Sequence, residues 1–149
     1  MALAQTNEAT KPSLTLKRRL NAPAEKVYAA WTDPQKLVNW FGPDSGPVTK
    51  AQVDLRVGGR YDIGFHTEDG EYHEVGGLYR EVVENEKLVF TWAWHTMKER
   101  ESLVTITIKR DGDGAILTLH HEKFFDQAAR DGHEGGWTGT LNKLEKMLA

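Results

Sequence analysis

Residues 133–148 read HEGGWTGTLNKLEKML, the longest helical pattern in the chain. Trp137, Leu141, Leu144 and Leu148 stand at i, i+4, i+7 and i+11 and so share one stripe of an α-helix. The opposite face carries Thr138, Asn142, Lys143, Glu145 and Lys146, which are expected to meet water. Gly132, Gly135, Gly136 and Gly139 all fall in the first half of this element, and inside a helix each costs roughly 1 kcal/mol relative to alanine. Burial can offset that penalty: Trp137 alone can remove ~200 Å² from water, worth about 5 kcal/mol. The helix therefore requires a partner surface. Its glycines either draw a backbone close or leave space beside the helix.

Outward from this helix, the rest of the chain supplies the partner. Leu14, Leu16 and Leu20 alternate with polar residues, giving a half-buried strand over 14–20 with Arg18 as the exception on its apolar face. Ala22-Pro23 then opens a helix with proline at its first position and Glu25 in its first turn, and Val27 and Trp31 form its inward stripe. Asp33-Pro34 starts a second short helix that ends near Trp40-Phe41, before Gly42-Pro43. From there to residue 122 the turn chemistry is that of an antiparallel meander. Six strands fit between the breaks, near 48–55, 60–67, 72–84, 87–95, 101–110 and 115–122, and Gly76-Gly77 predicts a bulge in the third.

The facing of these strands is legible. Tyr61, Ile63 and Phe65 form one apolar row; Phe90, Trp92 and Trp94 form another; Val104, Ile106 and Ile108 form a third; and Leu117 and Leu119 place His121 on the same apolar side. A sheet with one apolar face needs one cover, and the C-terminal helix is that cover. The fold class is α+β, with about seven antiparallel strands.

Composition narrows the function. The 149 residues carry a net charge of −3, which removes the electrostatic case for nucleic acid. There is no cysteine, hence no disulfide, thiolate nucleophile or cysteine-ligated metal, in keeping with a cytoplasmic location. Residues 1–13 are polar and patternless and are expected to form a disordered tail, leaving 14–149 as one domain. No apolar run reaches membrane-spanning length.

The element order resembles the helix-grip fold of the START and birch-pollen-allergen superfamily. Three stretches narrow it: APAEKVYAAWTDPQKLVNWFGP over Ala22–Pro43, DLRVGGRY over Asp54–Tyr61, and His133 to Trp137 with Leu141 and Leu144 behind. Together they resemble the family named for activators of the heat-shock-protein-90 ATPase, over about residues 14–148. The resemblance implies a curved sheet gripping the long helix around a cavity, and through the family name a link to chaperones and the stress response. It covers only the C-terminal-type domain of the eukaryotic activators. Superfamily members carry lipids, bind hormones, cyclise polyketides or assist chaperones, so the resemblance does not assign one activity.

The six histidines are the first candidates for chemistry. A two-residue turn at Asp69-Gly70 would pair His66 with His73 and Glu68 with Glu71 on one face, a set able to hold a divalent metal. That face lies opposite Phe65 and is expected to be solvated, so no metal is assigned. His121 faces inward and could contact a polar ligand group or act as a general base, but no nucleophile within its reach is visible, and no catalytic residue is assigned. His133 is expected to cap or pack near the helix start. P-loop, Rossmann, HExxH and GxSxG patterns are absent, and Gly58-Gly59 is a turn.

The expectation is therefore a protein without cofactor, monomeric or homodimeric, that binds a small apolar molecule between sheet and C-terminal helix. Trp40, Phe65, Phe90, Trp92, Trp94, Ile106, Leu119, His121, Trp137 and Leu141 are the candidate ligand-binding residues. A chaperone ATPase as partner is the alternative, and a hydrolase or cyclase using His121 as base is a third.

Overall fold

The computed structural model describes residues 11–149. Most of the tail expected over 1–13 lies outside the described residues, and 11–13 carry no regular structure. The elements run β1 Leu14–Leu20, α1 Ala24–Thr32, α2 Pro34–Trp40, β2 Val48–Val53, β3 Arg60–His66, β4 Tyr72–Val83, β5 Lys87–Trp94, a 3-10 turn Lys98–Arg100, β6 Ser102–Asp111, β7 Gly114–Glu122 and α3 Gln127–Met147. The seven strands form one antiparallel sheet in the order β1-β7-β6-β5-β4-β3-β2. This is the helix-grip arrangement, with α3 lying across the apolar face.

The short helices form because their ends are capped by local chemistry. Pro23 is the N-cap of α1 rather than its first helical residue. The Asp33 side chain accepts a hydrogen bond from Gln35 N at 2.9 Å, and Pro34 occupies the first position of α2, where its missing N–H is harmless. The two helices are joined by Trp40, whose Nε1 donates to Ala30 O at 2.9 Å. Trp31 and Trp40 meet edge to face with ring centroids 4.8 Å apart, and Trp31 lies 6.0 Å from Trp137.

Two expectations about the sheet are corrected. The hairpin between β3 and β4 has a three-residue loop, Glu68-Asp69-Gly70: Gly70 N bonds Thr67 O, Thr67 N bonds Glu71 O, and Gly70 has φ +86°. This is a tight turn followed by a left-handed glycine. The extra residue slips the register by one, so His73 pairs with Phe65 and His66 with Tyr72. A one-residue slip reverses facing. His66 and His73 therefore point to opposite faces, and His73 stands beside Phe65 on the inner one.

The bulge in β4 is at Arg80, between the pairs Tyr79–Phe90 and Glu81–Val89, and not at the glycines. Gly76 and Gly77 stay in register with Asp62 and Tyr61. At Gly77 a side chain would collide with the Thr91 carbonyl oxygen, so glycine there serves close approach of β5.

Trp137, Leu141 and Leu144 are buried against the sheet as their spacing requires, while Leu148 follows the end of α3 and is half-buried. Lys143, expected to face water, instead turns inward and donates to Phe41 O at 3.1 Å and Asp44 O at 2.6 Å. Its amine pins α3 to the loop after α2, and burial lowers its pKa against the opposing pull of Asp44. Arg18, the polar exception in β1, reaches the other edge of α3, where it bonds Asn142 at 2.8 Å and Glu145 at 3.3 Å.

Candidate ligand-binding cleft

Glycine spacing in α3 has two opposite structural effects. At Gly139 an added Cβ would strike the Pro43 carbonyl oxygen, so this glycine lets the 41–44 loop lie against the helix. At Gly132 an added Cβ would meet nothing within 4 Å, and at Gly136 only the Pro43 Cβ at 3.9 Å. Both face a cleft of about 950 Å³ between the N-terminal half of α3 and the inner face of β3, β4 and β5. Gly135 faces outward and touches nothing.

The walls of the cleft are largely aromatic. Phe65, Trp92, Trp94 and Trp137 line it, as do Phe41, His73, Phe124, Phe125 and His133. Parity along β5 brings Trp92 and Trp94 to one face, with ring centroids 5.5 Å apart, and Trp92 lies 4.9 Å from Trp137. A second cavity of about 20 Å³, large enough for one water, is lined by Trp31, Tyr61, Phe90 and their neighbours. Phe41 and Trp92 line both spaces and separate them.

The indole N–H groups behind these walls are matched to two histidines. Trp137 Nε1 donates to His121 Nδ1 at 3.0 Å. Because an indole nitrogen only donates, His121 Nδ1 is unprotonated and its proton lies on Nε2, which meets Ser102 Oγ at 2.7 Å. Ser102 Oγ in turn donates to Trp92 O at 3.2 Å. His133 has the other tautomer: its Nδ1 donates to Ala129 O at 2.7 Å, and its Nε2 accepts from Trp94 at 3.0 Å and Trp92 at 3.3 Å. Burial pushes the pKa of both rings down, His121 well below its usual value with help from neighbouring His133, and His133 against the opposing hydrogen bond to Ala129. Both are neutral linkers.

This geometry bears on catalysis. Ser102 and His121 are within hydrogen-bond distance, a pair the sequence alone did not reveal. The tautomer runs the wrong way for a nucleophile and its base, however, because His121 donates to the serine and has no lone pair left to take its proton.

The candidate ligand-binding residues divide by position. Phe65, Trp92, Trp94 and Trp137 stand on the cleft, and Phe90 borders the small cavity. His121 is 0 % exposed behind the wall, and Trp40, Ile106, Leu119 and Leu141 lie within the core. Sequence reasoning missed Pro43, His73, Met97 and Arg100, all of which border the cleft. Of these, His73 was hidden by the hairpin register, and the others sit on turns, where no periodicity signals facing.

A cluster able to ligate a metal occurs on the outer face: Asp62, Glu74 and His95 offer atoms within 4.8 Å of one another. Its carboxylates are already occupied by cations. Arg60 bonds Asp62 at 3.0 Å, Lys50 bonds Glu74 at 2.7 Å, and the His95 ring spans both acids at 3.0 and 3.2 Å. The arrangement is a charge-balanced network tying β2, β3, β4 and the end of β5 together. Among the described residues, no helix is long and apolar enough to cross a membrane.

Residues 21–149 match the family model for activator of Hsp90 ATPase homolog 1-like proteins (AHSA1). A crystal structure of a Chromobacterium violaceum protein is similar at 30% identity and a TM-score of 0.82, covering 92% of this chain and 97% of that one. An AHSA1 protein from Silicibacter pomeroyi is similar at 29% identity and the same TM-score, covering 92% and 97%. A Mycobacterium smegmatis protein shares the fold at 22% identity, with a TM-score of 0.78 and coverage of 92% and 90%. No curated protein matches the chain. The sequence match spans most of the chain and agrees with its seven-stranded sheet and long C-terminal helix: this protein belongs to the family of activator of Hsp90 ATPase homolog 1-like proteins.

Proposed function

We propose that this protein binds a small, largely apolar molecule in the cleft between β3–β5 and the N-terminal half of α3. The supporting observation is that the cleft, about 950 Å³, lies beside Gly132 and Gly136, positions where side chains would have room to fill it. Space of this size walled by aromatic rings suits a small ligand. The reading also fits the START-like fold, a family of folds in which hydrophobic ligands are common. Titration with 1-anilinonaphthalene-8-sulfonate, an aromatic dye bearing one sulfonate, tests it. Saturable quenching of tryptophan emission is expected, because Trp92, Trp94 and Trp137 form the walls; a linear, non-saturating response would refute the reading.

The family description favours a second reading, in which the chain stimulates a chaperone ATPase. ATPase assays with the host's Hsp90-type chaperone decide it, and unchanged turnover at micromolar protein would remove it. Either reading is compatible with a cytoplasmic location.

A further inference from the structure

The indole N–H groups and the Thr140 hydroxyl in the cleft wall are bonded within the protein, while the His73 ring on the inner face has Glu71 as its polar neighbour, at 3.4 Å. The Trp92 and Trp94 N–H groups go to His133, the Trp137 N–H goes to His121, and the Thr140 hydroxyl donates to Gly136 O at 2.8 Å. A ligand entering this space meets ring faces and no unused donor from these groups. A polar end therefore gains nothing from the indole wall beside α3, where it would lose water without a partner.

The mouth holds one cation without an acid. Arg100, on the 3-10 turn after β5, borders the cleft, and its guanidinium lies 3.9 Å above the ring of Phe125. Phe125 is 58% exposed and borders the same opening. Stacking covers one face of the guanidinium and leaves its N–H edge available, the edge that grips a carboxylate with two parallel bonds. Among the described residues, no carboxylate lies within ion-pair distance of Arg100. The acids that border the cleft have other partners. Glu74 is held by Lys50 at 2.7 Å, Asp126 caps α3 by accepting from Ala129 N at 2.8 Å, and Glu71 lies 3.4 Å from His73.

From the saturated indole wall and the unpaired Arg100 together, we infer that the ligand class is a single-chain amphipathic carboxylate, its tail against Phe65, Trp94 and Trp137 and its carboxylate on Arg100. This rests on the cleft being the binding site, and the test separates the two claims. Dodecanoate and dodecanol are titrated against wild type and Arg100→Gln, with tryptophan emission as the readout and thermal melting as the check on folding. Wild type should bind dodecanoate about ten-fold more tightly than dodecanol. Arg100→Gln should lose that preference while binding dodecanol as before, and Arg100→Lys should keep part of it. Equal binding of the two probes by wild type, or an unchanged dodecanoate affinity in Arg100→Gln, overturns the carboxylate assignment and leaves the cleft reading standing. Failure of both probes to bind overturns both.

Discussion

Trp137 Nε1 donates to His121 Nδ1 across 3.0 Å in the buried seam between α3 and β7. This bond orients the wall of the cleft and fixes the tautomer in which the one basic lone pair of His121 is engaged by Trp137 and turned away from Ser102. Trp137→Phe keeps one aromatic ring, removes the pyrrole N–H and strands the acceptor. We expect it to destabilise the protein by about 1–3 kcal/mol in urea unfolding, the usual penalty for an unmet buried polar group. A change within error would mean that this bond contributes little.

The two cleft histidines should make stability depend on pH in a particular direction. Both are neutral in the fold with pKa values lowered from 6.5, chiefly by burial. The unfolded chain therefore binds protons that the folded chain refuses. Their contribution is fully present above pH 6.5 and falls as the pH drops below it, by up to about 1.4 kcal/mol per pH unit for each ring. This loss begins before Glu74, held down by Lys50, takes up its proton. Unfolding free energy measured between pH 7 and 5 should decline, and more gently in His133→Gln. A flat profile would contradict the neutral state of the two rings in the fold.

The glycines of α3 should separate by role. Gly135→Ala should stabilise the protein by roughly 1 kcal/mol, since alanine favours the helix and the new methyl meets nothing. Gly139→Ala should destabilise it by about 1–3 kcal/mol because of the collision with Pro43 O. Thermal melting of the pair gives the signs. Two shifts of the same sign would remove the distinction between the outward-facing Gly135 and the packing Gly139.

Lys143→Met should loosen the loop that roofs one end of the cleft. The variant keeps the stem but loses two hydrogen bonds, to Phe41 O and Asp44 O, and should lower stability by about 1–2 kcal/mol. Hydrogen exchange at residues 41–46 should rise in step. Unchanged exchange would mean that Gly139 alone holds the loop.

Much of the fold was legible because strand parity and helix periodicity are strong signals. Phe90, Trp92 and Trp94 face inward as their alternation requires, and Trp137, Leu141 and Leu144 meet the sheet as their spacing requires. What was not legible depended on local turn geometry or distant pairing. The facing of His73 turned on one extra residue in the Glu68-Asp69-Gly70 loop. The Ser102–His121 contact depends on how β6 sits against β7, and a serine at a strand's first residue gives no sign of it. The glycines of α3 looked alike in sequence, and only the position of Pro43 distinguished Gly139 from Gly136. Arg100 and Phe125 lie outside regular helices and strands that would fix their direction, so their meeting at the cleft mouth could be seen only in three dimensions.

The most direct test of the binding cleft is a tryptophan-emission titration of Gly136→Leu beside wild type, using 1-anilinonaphthalene-8-sulfonate. Leucine at this position has room to enter the cleft, with only the Pro43 Cβ nearby at 3.9 Å. Saturable quenching in wild type, weakened at least about ten-fold in a variant that melts no earlier than wild type, is the predicted result. Equal quenching in the two proteins would contradict ligand binding in this cleft.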